Sequence, residues 1–128
     1  MKKIALLAAG VIVLVLSCMR AEIKATRALE ISDVPISTIP DGSYTGSFEY
    51  GGFTYSVRCV VSEGRVDKIK VLQNRDTPAS KNAENIVERV IELQKVNVDA
   101  ISGATTTSKA LLKAIERALA KGASGGTR

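Results

Sequence analysis

Three alternating stretches separated by glycine turns constrain the fold of this 128-residue chain more than any other feature. The first occupies residues 43–50, and the second, residues 53–62, places four apolar side chains on one face: Tyr55, Val57, Cys59 and Val61. In the third, residues 65–73, apolar and lysine residues alternate. Gly51-Gly52 and Glu63-Gly64 are short turns of the kind that close antiparallel hairpins. The pattern predicts a small antiparallel meander of three to four strands with one buried face.

Two apolar stripes at helical spacing follow the predicted strands. The first helix is expected to open at Pro78 and Ser80, and its apolar face is Ala83, Ile86, Val87, Val90, Ile91 and Leu93. The second stripe is Leu111, Leu112, Ile115, Ala118 and Leu119, and Gly122 is expected to end that helix. The prediction is an α+β domain over residues 41–122, in which the meander packs against two amphipathic helices. A disordered tail is expected at residues 123–128.

Residues 1–21 have the layout of an export signal or membrane anchor. Lys2 and Lys3 precede an uncharged apolar run, residues 4–16, which ends in Ser17 and Cys18. This run is shorter than the roughly 20 residues that a membrane span requires. A cleaved signal, lipidation at Cys18 and an uncleaved anchor all remain open. The rest of the chain is expected on the extracytoplasmic face of the cytoplasmic membrane, in the cell envelope, with residues 22–40 as a tether.

Composition excludes several classes of function. The formal net charge is +5, and removing Lys2 and Lys3 leaves 16 basic and 13 acidic residues, or +3. The basic residues are dispersed, so no nucleic-acid partner is expected. There is no histidine, and Cys18 and Cys59 are the two cysteines, so the usual ligand sets for zinc, haem and iron–sulfur centres are lacking. No nucleophile–base constellation is visible, which favours a carrier over a stand-alone enzyme.

A glycine-bearing, hydroxyl-rich turn spans residues 99–108 and leads into the second helical pattern. A helix N-terminus offers unpaired backbone N–H groups and partial positive charge, which stabilise a phosphate. Gly103 permits unusual dihedrals before the helix, and Ala104 leaves Thr105 uncrowded. Asp99 is expected to orient the turn by accepting backbone N–H bonds, or to help bind a metal. Ordinary helix capping by the same hydroxyl residues is the alternative interpretation.

The segment Asp99-Ala100-Ile101-Ser102-Gly103-Ala104-Thr105, with Thr107-Ser108 following, resembles the flavinylation motif of the FMN-binding domain family. That family includes the FMN-carrying subunits of sodium-pumping NADH:quinone oxidoreductases and of ferredoxin:NAD oxidoreductases. The similarity covers roughly residues 39–120, including the opening at residues 40–46. The chain departs from those large subunits in being much shorter.

The resemblance implies that Thr105 carries FMN through a phosphoester bond. The remaining binding residues that it implies are Asp99, Ser102, Gly103, Ala104 and Thr106. It also implies a partner, an FAD:protein FMN transferase that works with magnesium. The Thr105 hydroxyl would attack the FMN phosphorus of FAD, and AMP would leave, so the chain would be that enzyme's substrate.

The resulting prediction is a membrane-tethered flavoprotein that shuttles electrons between a donor and an acceptor that the sequence does not identify. The alternatives are a noncovalent FMN-binding module and a flavin-free structural envelope lipoprotein. Further candidates near the flavin ring are the connection at residues 77–80 and the aromatics of the first hairpin, although core packing and cross-strand pairing more often explain such an aromatic cluster. These aromatics are Tyr44, Phe48, Tyr50, Phe53 and Tyr55.

Three basic residues and one cysteine have both functional and ordinary interpretations. Lys68, Lys70 and Arg75 would favour an anionic reduced flavin or an acidic partner, although a solvated strand face is the better explanation of these residues. Cys59 is expected to behave as a small buried hydrophobe.

Overall fold

The computed structural model describes residues 30–124. Its sheet contains β1 (Gly42–Tyr50), β2 (Phe53–Ser62) and β3 (Arg65–Gln73), in the antiparallel order β1-β2-β3. The α+β meander is therefore confirmed, with three strands. The signal or anchor, the Cys18 lipidation site, the first part of the tether and residues 125–128 lie outside the described residues.

Three helices follow the sheet: α1 (Pro78–Ala83), α2 (Ile86–Leu93) and α3 (Thr105–Ala123). The sequence predicted α1 and α2 as one helix. They separate at Glu84 and Asn85, where backbone N–H groups bond three residues back, as in Asn85 to Asn82 at 3.2 Å. Asn74 Nδ2, outside the helices, donates to Glu84 Oε2 at 2.9 Å and anchors this point. Within residues 30–124, no helix is both long and apolar enough to cross a membrane.

α3 packs across β1 and β2 and supplies much of the core. Its buried apolar side chains are Ala110, Leu111, Leu112, Ala114, Ile115, Ala118 and Leu119. The β2 residues predicted to face inward, Tyr55, Val57, Cys59 and Val61, are 0–1% exposed. A Cβ at Gly46 would collide with the backbone of Ala114 and Ala118. The absence of a side chain at Gly46 thus lets helix and strand approach closely.

Side chains occupy backbone groups on both outer strands. On β1, Arg117 Nη1 donates to the Ser47 carbonyl at 3.1 Å and Lys121 Nζ to the Thr45 carbonyl at 2.6 Å. On β3, the Gln94 amide accepts from the Val66 N–H at 2.8 Å and donates to its carbonyl at 3.1 Å. These bonds reduce the tendency of the outer strands to pair with another chain.

Two predicted boundaries differ in detail from the structure. The end of the predicted tether packs on the domain, because Ile36 and Ile39 are buried and Asp33 Oδ1 accepts the Val96 and Asn97 N–H groups. α3 continues through Gly122 to Ala123.

On the predicted apolar face of the first helix, Ala83, Ile86 and Val90 are buried, whereas Leu93 in the last turn of α2 is 59% exposed.

Candidate functional site

The hydroxyl-rich motif forms a tight turn followed directly by α3. The Ala104 N–H donates to the Ile101 carbonyl at 3.0 Å, which closes the turn. Gly103 has φ +80°, in the left-handed region, and nothing lies within 4 Å of the position that a Cβ would occupy there. Ser102 and Gly103 are both exposed. The outer side of the turn is therefore open to a ligand or to another protein.

Two helices hold the inner side of this turn. Arg89 Nη1, on α2, donates to the Asp99 carbonyl at 2.9 Å and to the Ala100 carbonyl at 3.3 Å. From α3, the buried Ser108 Oγ accepts the Ile101 N–H at 3.1 Å. Sequence reasoning assigned no role at the turn to Arg89, because nothing local links a polar helix residue to carbonyls ten positions away. Ser108 was visible only as part of the motif.

The turn-orienting role predicted for the Asp99 carboxylate is filled by other groups, whereas its help in binding a metal stays a prediction. Its side chain is exposed, and within residues 30–124 no backbone N–H donates to it. The bond that fixes the turn at Ile101 goes to Ser108 instead, because the Ser108 hydroxyl lies directly beneath the turn in the first part of α3. Asp99 contributes to the turn through its backbone carbonyl.

The four hydroxyl residues at the start of α3 divide into two exposed and two buried positions. Thr105 and Thr106 are exposed, whereas Thr107 and Ser108 are 7% and 0% exposed. Ala104 is the N-cap residue, and among the described residues no side chain caps α3. Helix capping therefore does not account for this run of hydroxyls. Because no side chain caps it, the 19-residue helix keeps first-turn N–H groups without side-chain acceptors.

The first turn of α1 lies against the start of α3. Ser80 Oγ and Thr107 Oγ1 are 3.3 Å apart in a buried hydrogen bond. The Ser80 N–H donates to Thr77 Oγ1 at 3.1 Å, and Asn74 Nδ2 donates to the Ser80 carbonyl at 2.8 Å. The Ser80–Thr107 contact brings the end of the segment 77–80 against the motif helix. That residues 77–80 line a ring pocket stays a prediction.

Of the five hairpin aromatics, one is strongly exposed. Tyr55 and Phe48 are 1% and 6% exposed, whereas Phe53 is 44% exposed. The Phe48 and Tyr50 rings stack with centroids 6.3 Å apart. Tyr44 donates its hydroxyl hydrogen to the Pro40 carbonyl at 2.6 Å. The aromatic cluster is therefore mainly core packing, and Phe53 is its main exception.

The remaining candidates are separated by the fold. Lys68 and Lys70 are exposed on β3, whereas the Arg75 guanidinium lies over the Phe53 ring, 4.2 Å from its centroid. Cys59 is buried, and burial raises the pKa of its thiol to about 12. It therefore stays a neutral thiol near neutral pH, consistent with a packing role.

The start of α3 fits the phosphate of FMN. The uncapped helix end provides backbone N–H donors and partial positive charge, and two exposed threonine hydroxyls lie beside it. The space around Gly103 leaves room for the group. Within the part of the chain that the structure describes, no three acidic, cysteine or histidine side chains cluster as a metal site. The groups that would hold the phosphate here are the helix N–H groups and these hydroxyls.

These features define a small α+β domain with an open, phosphate-compatible turn at the start of its longest helix. The model of the FMN-binding domain family matches residues 50–120, from the end of β1 into α3. This chain belongs to that family and is a flavin-binding protein.

A relative in Treponema pallidum (strain Nichols), described as an uncharacterized protein, is 28% identical over 102 residues. The match covers 78% of this chain and 28% of the relative's length. The chain thus corresponds to less than a third of that longer protein.

Proposed function

We propose that this chain carries FMN covalently through a phosphoester bond to Thr105 and serves as an electron carrier in the cell envelope. The observation that carries the proposal is the position of Thr105, exposed and first in the uncapped helix α3, inside the segment that matches the FMN-binding domain family. FMN, when bound, supplies reversible acceptance and release of electrons. The domain supplies attachment, orientation and electrostatic environment.

Attachment needs an accessible hydroxyl on a backbone that stays in place. Thr105 meets the first requirement, because its side chain is exposed. The turn that leads to it meets the second, because Arg89 and Ser108 fix residues 99–101. A rigid turn lowers the entropy lost when a transferase binds this segment.

The attachment step is a phosphoryl-group transfer from FAD. A bond forms between Thr105 Oγ1 and the FMN phosphorus, while the bond from that phosphorus to the AMP oxygen breaks. AMP leaves, and the hydroxyl proton passes to a base. The catalytic groups and magnesium belong to the FAD:protein FMN transferase, so this chain acts as the substrate. The resulting phosphodiester anion would lie at the positive end of α3, which favours the product.

An envelope location is supported by the sequence pattern of residues 1–21. Cationic residues, an apolar run and a cysteine follow one another there. We propose export, with membrane attachment through a lipidated Cys18 or an uncleaved anchor. The electron donor and acceptor are then proteins or small carriers that reach the extracytoplasmic face of the membrane.

The decisive experiment is the intact mass of the full chain, measured under denaturing conditions after coproduction with an FAD:protein FMN transferase. We expect a gain equal to FMN minus water in the parent and in Thr105→Ser, and no gain in Thr105→Ala. Thr106→Ala is the matched control, because it removes the neighbouring exposed hydroxyl and should leave the gain unchanged.

Other results would overturn the covalent proposal. If the parent shows no gain with a transferase active on another substrate, covalent attachment is wrong. Colour that is lost on unfolding would then indicate noncovalent FMN. If Thr106→Ala abolishes the gain and Thr105→Ala retains it, the acceptor has been assigned to the wrong residue.

A further inference from the structure

The first turn of α3 lies near the β1–β2 hairpin end of the sheet. The middle of α3 crosses β1 at Gly46, which contacts Ala114 and Ala118, and Gly122 contacts Tyr44 near the start of β1. The helix therefore runs opposite in direction to β1. Thr105 precedes Ala114 by nine residues, about 13 Å along the helix axis at about 1.5 Å per residue. That length brings Thr105 toward the end of β1 and the hairpin turn.

Phe53 extends the helix-facing side of the sheet beyond the cover of α3. Alternate residues of a strand share a face, so Phe53 lies on the same face as Tyr55 and Val57. Those two side chains are 1% and 0% exposed, whereas Phe53 is 44% exposed. Its strand partner is Tyr50, which follows the stacked Phe48 on the same face. An aromatic surface is therefore left open where the helix begins.

Arg75 covers one side of Phe53 and brings a positive charge to it. Its guanidinium carbon is 4.2 Å from the ring centroid, in cation–π geometry. The Nε atom is buried and makes no hydrogen bond with the described residues. The nearby Asp76 carboxylate pairs with Lys81 at 3.3 Å, and Glu84 accepts from Asn74. Neither acidic group forms an ion pair with Arg75 in residues 30–124.

A continuous series of contacts joins this aromatic surface to the motif helix. Arg75 N–H donates to Asn74 Oδ1 at 2.8 Å, and Asn74 in turn donates to the Ser80 carbonyl. Ser80 then reaches Thr107, in the first turn of α3. Two open depressions flank the Phe53–Arg75 pair. The one beside Phe53, at residues 49–54, is about 260 Å³, and the one beside Arg75 is about 200 Å³.

We propose that Phe53 and Arg75 form the contact surface for the isoalloxazine ring of the FMN attached at Thr105. This inference rests on the proposed function. Phe53 offers an apolar aromatic contact for the ring. Arg75 would bring a positive charge close to the ring, which would stabilise the negative charge that the ring gains on reduction. Loss of Arg75 therefore makes the FMN midpoint potential more negative.

The first test places a fluorescence quencher at the proposed contact. The full chain is coproduced with the transferase, and denaturing mass establishes FMN attachment before each measurement. Phe53→Trp should shorten the flavin fluorescence lifetime strongly, because an indole in contact with isoalloxazine quenches it. Leu93→Trp is the matched control: Leu93 is 59% exposed, and the next residue, Gln94, bonds Val66 at the opposite end of β3. Its lifetime should equal that of the parent.

The second test measures the midpoint potential of the attached FMN. Arg75→Met should shift the potential to a more negative value, and Arg75→Lys should restore part of the shift. Arg117→Met is the matched control, because Arg117 forms a similar pair with Phe48, 5.0 Å from the ring centroid, on a distant turn of α3. This variant should leave the potential unchanged.

The possible outcomes separate the two proposals. An FMN mass gain with an unchanged lifetime in Phe53→Trp and an unchanged potential in Arg75→Met would overturn the ring contact alone. No mass gain in the parent would overturn covalent attachment and this inference together. Equal quenching in Leu93→Trp, or an equal shift in Arg117→Met, would show that the effects do not come from the Phe53–Arg75 surface.

Discussion

The first turn and the C-terminal half of α3 belong to one helix, yet the domain covers them very differently. Ala114, Ile115 and Ala118 are completely buried against the sheet. Thr105 and Thr106 are exposed beside a turn with open space around it. The difference shows that the second half of the helix completes the core, whereas its first two residues remain exposed.

The largest expected contrast lies between Ile115→Ala and Thr105→Ala. Ile115 is fully buried, so its truncation leaves a cavity and should cost about 2–5 kcal/mol of unfolding free energy. Thr105→Ala removes an exposed side chain and should change stability by less than about 0.5 kcal/mol, while abolishing FMN attachment. Urea unfolding of the two variants without attached FMN measures both changes in stability. Similar losses in the two variants would contradict the division of α3.

Ser108→Ala tests the boundary between the two halves. Ser108 Oγ accepts the buried Ile101 N–H, and an unpaired buried N–H costs about 1–3 kcal/mol. We expect a loss of that size in urea unfolding, faster hydrogen exchange at the Ile101 amide, and slower FMN attachment. Thr106→Ala is the control and should alter none of these. Unchanged exchange at Ile101 would mean that Ser108 does not hold the turn.

The same contrast explains which features were predictable from sequence. The meander was predictable, because alternation and glycine turns are local signals. Tyr55, Val57 and Cys59 are buried as the pattern predicts. The exposure of Phe53 was not predictable, although Phe53 follows the same alternation. Periodicity identifies the face of a strand, but it does not tell where a covering helix begins.

Distant contacts account for the other differences. The break between α1 and α2 coincides with the bond between Asn74 and Glu84, two residues that lie ten positions apart. Arg89 similarly reaches the carbonyls of Asp99 and Ala100 across a loop. Spacing within one helix cannot indicate such bonds. The motif itself was recognisable, but the division of its hydroxyls into exposed and buried pairs follows from α3 beginning at Thr105.

Cys59, on the face of β2 that α3 covers, makes the stability of the domain depend on pH. Burial raises the pKa of its thiol from 9.0 to about 12, so the folded state retains the proton where the unfolded state loses it. This contribution is complete below about pH 9 and is lost as the pH rises toward 12. Within that window the unfolding free energy should fall by about 1.4 kcal/mol per pH unit.

The measurement is the difference in unfolding free energy between the parent and Cys59→Ala at pH 8 and pH 10. The variant is less stable at pH 8, because a buried side chain is lost, but the gap should narrow as the pH rises. Lysine and tyrosine titrations affect both proteins and largely cancel in this difference. A constant gap would show that the Cys59 thiol is not protected by burial.

Gly103 provides the smallest and most local test of the open turn. Its φ of +80° is unfavourable for residues with a Cβ, yet no atom lies within 4 Å of the Cβ position. Gly103→Ala should therefore cost about 1 kcal/mol through backbone strain alone. Gly103→Asn should cost less, because asparagine adopts left-handed dihedrals more readily. Gly46→Ala, which meets backbone atoms of α3, should cost more than either.

The rate of FMN attachment then tells whether the shape of the turn matters to the transferase. If the turn must keep its left-handed residue, attachment should be slowest in Gly103→Ala and partly restored in Gly103→Asn. Gly46→Ala is the control for general destabilisation and should retain a nearly normal rate at temperatures where it remains folded. A rate that follows global stability across all three variants would mean that the transferase requires only an accessible Thr105. A rate that follows the dihedral at position 103 would mean that the transferase recognises the folded turn.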